Sequence, residues 1–147
     1  SLLRQVDEVD ETDRIILVAH SLGCHLVARA LPEIRERVAG VFLVAPPDLA
    51  SPLLPRNLPG FAPAPIQELG VAGCVVYSED DPYASVLCSE KFARQAGLVS
   101  FNVGMRGHIN ADSRLGNWDE GYAIFTWLLE EILPCGYRRN ACTARAR

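Results

Sequence analysis

The chain has 147 residues, 49% of them hydrophobic, which is enough for one compact domain with a sizeable core and too little for a second. Its net charge is −4 and its arginines are scattered apart from a few near the C-terminus, so no basic stripe marks a nucleic-acid or anionic-membrane partner. No apolar run approaches the roughly 20 residues of a membrane-spanning helix, and SLLRQVDEVDETD is too acidic for a signal or transit peptide, so a soluble, cytoplasmic protein is expected.

In chain order, Ile15 to Ala19 (IILVA) is a continuous apolar run between charge and a turn, the pattern of a strand buried on both faces. A helix is expected from about Gly23 to Ala30, stopping near Pro32. Val41 to Ala45 (VFLVA) is a second buried strand, ended by Pro46 and Pro47. Pro46 to Gly73 contains seven prolines and few regular signals. A connection this long is either a functional lid or substrate-binding wall, or a proline-stiffened surface excursion. Cys74 to Ser78 is a third strand, followed by the polar turn EDDPY and a helix from about Ala84 to Ala96 that Gly97 can terminate. Val99 to Val103 is a fourth strand. Asp119 to Ile132 carries Tyr122, Phe125, Leu128, Leu129 and Ile132 at helical spacing. Strands alternating with helices predict an α/β domain, a three-layer sandwich with a mainly parallel sheet, over residues 1–134.

Residues 135–147 (CGYRRNACTARAR) lack an apolar period and are expected to be a disordered tail. The five cysteines are odd in number and lack the paired spacing of zinc or redox sites, so they read as reduced thiols, mostly small buried hydrophobes. No metal or organic cofactor is called for.

Parallel sheets build sites where the carboxyl edges of their strands open into a crevice. Three of the four strand ends here carry groups for acid–base or nucleophilic chemistry: Ser21 after the first, Asp80 and Asp81 after the third, His108 after the fourth. Ala19-His20-Ser21-Leu22-Gly23 matches the G-x-S-x-G elbow with alanine for the first glycine. Small flanking residues are needed because the strained turn lifts the serine out of the sheet. Serine is also a common helix N-cap. Asp80 or Asp81 could simply cap the next helix. Beside a histidine, one of them has a further task, accepting the Nδ1 proton and fixing the tautomer. His20 reads as strand-end packing, and His25 as a solvent or packing residue. His108 sits in a loop after Gly107 rather than on an apolar helix face. The order Ser, Asp, His is that of α/β-hydrolases.

VAHSLGCHLVARAL, VFLVAPPD, YSEDDPYAS and GHINADSRLGNWDEGY together resemble the RBBP9/YdeN family of serine hydrolases, an α/β-hydrolase branch, over about Ile15 to Leu133. The resemblance implies Ser21 as nucleophile, His108 as general base and acid, and Asp81, directly before the proline, as the orienting acid. It implies two-step acyl transfer on an ester-like or amide-like small-molecule substrate, with the oxyanion held by the Leu22 N–H at a helix start.

The family normally starts with a strand and a histidine-glycine loop upstream of the elbow, the source of a second oxyanion donor. Ser1 to Arg14 leaves no room for them, so an N-terminally shortened hydrolase is expected, with an open sheet edge able to pair with a second copy. Losing one oxyanion donor costs about 100- to 1000-fold in rate. The competing expectation is a non-catalytic α/β-hydrolase-like binding protein. Trp118 either walls the pocket or packs at the start of its helix in NWDEG.

Overall fold

The apolar runs become four strands in the computed structural model, which describes residues 2–55, 58, 61 and 64–133. The chain runs α1 (Leu2–Asp7), β1 (Ile15–His20), α2 (Leu22–Ile34), β2 (Val38–Val44), β3 (Ala72–Tyr77), α3 (Val86–Ala96), β4 (Val99–Asn102) and α4 (Asp119–Ile132). The sheet order is β1-β2-β3-β4, and all three pairings are parallel.

Side chains alternate across a strand, so each strand feeds two cores. Leu17, Val41, Leu43 and Val75 pack against Val6 of α1, Val27 and Leu31 of α2, and Phe92 and Ala96 of α3. Phe42, Val44, Cys74 and Val76 face the other way, against Leu128 and Phe125 of α4. Every residue of β2 is buried, which explains its unbroken apolar sequence. The α/β-hydrolase-like three-layer architecture expected from the sequence is therefore present. Among the described residues β1 is bonded only to β2, and Val18 on its α4-side face is 62% exposed.

Several boundaries differ from expectation by one to a few residues. β2 begins at Val38 and runs through Gly40, where Ile132 of α4 occupies the space a Cβ would need. α2 continues past Pro32 to Ile34. An interior proline costs about 3 kcal/mol, but burying a Leu or Ile side chain returns about 1.5–3 kcal/mol each. Leu31 and Ile34, both buried on the sheet, offset it. β4 ends at Asn102 rather than Val103. Gly97 closes α3 in the left-handed region as expected, while the N-cap is Ser85, which accepts from the Cys88 N–H, rather than Asp80 or Asp81.

From Pro46 up to β3 the described residues form neither helix nor strand. The segment's start is tied down where the Asp48 N–H donates to the Tyr83 carbonyl, 2.9 Å. Its described residues wall a cleft of about 410 Å³ with His25, Cys88, Lys91 and Phe92, on the α2–α3 side of the sheet. The expected tail, 135–147, lies outside the described residues.

Candidate active site

Because the strands are parallel and in register, with His20 opposite Val44 and Tyr77 opposite Asn102, their carboxyl ends share one edge. Ser21 is the first residue past β1. Its N–H donates to the Val44 carbonyl at 2.9 Å, and its backbone sits at φ 56°, ψ −128°. A non-glycine residue held there carries about 1–3 kcal/mol of strain, which persists only when the surroundings over-determine it. Ser21 occupies the N-cap position of α2 yet makes no capping bond. Its Oγ lies 2.9 Å from His108 Nε2 instead.

His108 bridges Ser21 to Asp81. Its Nδ1 is 2.9 Å from Asp81 Oδ2 and 3.1 Å from Oδ1. An ionised carboxylate only accepts, so Nδ1 carries the proton and Nε2 of the neutral ring accepts from the Ser21 hydroxyl. Both side chains are withdrawn from water, 9% exposed for His108 and 2% for Asp81. Asp81 Oδ1 also accepts from the Tyr83 N–H at 2.9 Å, which locks the carboxylate against rotation. Tyr83 meets the imidazole edge-on with ring centroids 4.6 Å apart. The chain hydroxyl, imidazole, carboxylate is thus continuous, and it can carry a proton from serine to histidine with the developing charge stabilised beside it.

Asp80, adjacent in sequence, points elsewhere. Its Oδ1 accepts from the Gly107 N–H at 2.7 Å and from the Ser78 hydroxyl at 2.8 Å, while Ser78 Oγ accepts from the Arg106 N–H. Those bonds hold its carboxyl below the usual carboxylate value, the Gly107 N–H contributing most. It therefore fastens the backbone of the histidine loop, not the ring.

His25 is buried rather than solvent-facing. It donates Nε2–H to the Pro47 carbonyl at 2.8 Å and packs edge-on against Phe92, and burial lowers its pKa. Trp118 takes the helix-start role: it immediately precedes α4 and packs on Phe42, centroids 6.4 Å apart. Leu22 opens α2, so its N–H has no partner within the helix. Cys24, one turn into α2, donates to the Val44 carbonyl at 3.3 Å, and burial pushes its thiol up to about 12. Cys74 is raised to about 12 for the same reason, so both are inert packing groups.

A cleft of about 560 Å³ opens beside the imidazole, between Pro82, Tyr83, Arg106, His108 and Leu115. Arg106 at its rim is 3.5 Å from Glu120, an exposed pair of small energetic weight. Among the described residues no cluster of His, Cys, Asp or Glu could hold a metal ion, and no helix is long and apolar enough to cross a membrane. Reading the sequence missed the roles of Tyr83 and Ser78. Only Tyr83 left a signal: an Asp followed two residues later by a free N–H is the pattern of an Asx turn.

A parallel α/β sheet with a strained serine at the end of one strand and a histidine–aspartate pair beside it defines a protein of the α/β-hydrolase class. The family model described as serine hydrolase matches residues 2–127, and the chain belongs to that family. A YdeN-like hydrolase from Pectobacterium atrosepticum is similar with a TM-score of 0.73 and 26% identity, over 90% of this chain and 68% of its own. An α/β-superfamily hydrolase from Xanthomonas campestris pv. campestris gives 0.65 and 21%, over 88% and 65%. An alpha-beta serine hydrolase homologue from Coxiella burnetii gives 0.54 and 18%, over 90% and 55%. The chain therefore spans between 55% and 68% of these structures. No curated protein matches it. The resemblance read from the sequence blocks agrees with the family and with the YdeN-like structure.

Proposed function

We propose that this chain hydrolyses ester-like or amide-like acyl substrates with Ser21 as nucleophile, His108 as general base and acid, and Asp81 as the group that orients and stabilises the imidazole. The observation that carries the reading is the hydroxyl of a strained, uncapped Ser21 lying 2.9 Å from His108 Nε2, with Nδ1 2.9 Å from Asp81. A binding protein has no use for that strain or for all three groups.

In the first step His108 Nε2 takes the Ser21 proton as Oγ attacks the acyl carbon. The imidazolium then gives that proton to the leaving oxygen or nitrogen, and an acyl-serine ester remains. In the second step His108 removes a proton from water, the hydroxide adds to the ester carbon, and Ser21 departs with the proton returned to it. The oxyanion of each tetrahedral intermediate is held by the Leu22 N–H at the start of α2, where the helix dipole also favours negative charge. The cleft beside His108 receives a small-molecule acyl substrate.

The test is labelling of the 147-residue protein with a fluorophosphonate probe beside a Ser21→Ala variant. Labelling of the parent that vanishes in the variant is the expected result. A folded parent that takes up no probe would sink the reading and favour the non-catalytic one.

A further inference from the structure

The ring of His20 is exposed at the end of β1, yet its Nε2 lies 2.8 Å from the main-chain carbonyl of His108, 88 residues away. A carbonyl oxygen only accepts, so Nε2 carries the proton and donates it. The two imidazoles also meet, with centroids 4.8 Å apart and planes at 58°, so the His108 ring contacts both His20 and Tyr83.

The loop that receives this bond is strained. Gly107 has φ 57°, and Ile109, β-branched and buried, has φ 48°. A β-branched residue in the left-handed region stays there only while its neighbours hold the peptide on each side. Asp80 holds the Gly107 N–H, and His20 holds the carbonyl that joins His108 to Ile109.

We propose that His20 is a positioning residue for His108. This inference rests on the hydrolase reading above. His20 and Ser21 are consecutive, so the bond ties the backbone of the proposed base to the strand end that carries the proposed nucleophile. Asp81 fixes how the imidazole is turned; His20 fixes how far the ring stands from Ser21 Oγ. Without the donor, the His108 carbonyl is free to turn toward water, and the strained Ile109 peptide has a reason to let it. A displacement of about 1 Å between reacting groups costs as much as 100-fold in rate.

The test compares the parent with His20→Gln, His20→Met and Ser21→Ala. Gln and Met have side chains of similar reach, but only Gln offers an N–H near the position of the histidine Nε2. The readouts are kcat and KM on p-nitrophenyl acetate, the rate of fluorophosphonate labelling, and melting curves. His20→Met is expected to lower kcat and the labelling rate by about 10- to 100-fold at unchanged KM and an unchanged melting curve, and His20→Gln to restore most of the loss. A His20→Met variant as fast as the parent overturns the inference. So does a pair of variants slowed equally, because the ring rather than the N–H would then be the operative feature. A parent without Ser21-dependent activity overturns the hydrolase reading and this inference with it. An active parent matched by both variants overturns this inference alone.

Discussion

The turn that carries Ser21 and the loop that carries His108 meet at 2.9 Å, and they are held in different ways. The turn is positioned by main chain: the Ser21 N–H bonds the Val44 carbonyl of the neighbouring strand, and α2 begins at the next residue. The loop is positioned by side chains reaching in from other elements: Asp81 on the ring, Asp80 on the Gly107 N–H, and His20 on the His108 carbonyl. Main-chain positioning survives most substitutions. Side-chain positioning depends on particular residues and, for carboxylates, on pH. The two halves of one site should therefore differ in how easily they are broken.

The largest effect tests whether the halves act as a unit. Ser21→Ala or His108→Ala is expected to cut kcat by about a millionfold, and the double variant to cost no more than either alone. Additive losses, measured on an activated ester, would mean that the two groups do not share one proton transfer.

Next comes the ring's anchor. Asp81→Asn keeps the side chain's shape but offers an amide where Nδ1–H needs an acceptor, which favours the wrong tautomer. A fall in kcat of about 10⁴ is expected, with the fold intact by circular dichroism.

Smaller again is the backbone latch. Asp80→Ala is expected to slow labelling by about 10- to 100-fold, and Asp80→Asn, which keeps an acceptor oxygen, by less. The Gly107 N–H and the Ser78 hydroxyl hold the Asp80 carboxyl below its usual 3.8. A depressed acid contributes its stability fully above the unfolded value and loses it as pH falls through the folded one. Melting temperatures taken from about pH 5 down to about pH 3 should therefore fall more steeply for the parent than for Asp80→Asn. Equal slopes would remove the latch.

The smallest effect sharpens the other side of the comparison. Ala19→Gly writes the commoner form of the elbow into β1. It should leave kcat nearly unchanged, because the turn is held by main chain, while costing about 0.5–1 kcal/mol of stability from added backbone freedom in a strand. A large loss of rate on an activated ester would show that side chains, too, position the nucleophile.

Much of this was legible along the chain because it depends on short-range chemistry. The run VFLVA is a strand covered on both faces, IILVA is a strand as read but leaves Val18 exposed on the α4 side, and Gly97 closes α3 where the sequence placed its end. The order of Ser21, the DDP turn and His108 at three of the four strand ends pointed to one edge of a parallel sheet. Pro32 was misleading because a local rule met a stronger tertiary one, the burial of Leu31 and Ile34.

By itself, the sequence determined which residue types reach the carboxyl edge of the sheet, since periodicity and turn chemistry act over a few residues. Tertiary structure alone decided what they do to one another there. Adjacent carboxylates leave a turn in different directions, so Asp81 meets the His108 ring while Asp80 meets the Gly107 N–H. His20 read as strand-end packing until strand register brought a carbonyl 88 residues away to its Nε2. Such contacts depend on how strands align and how a loop folds back over them, and no spacing along the chain encodes that distance.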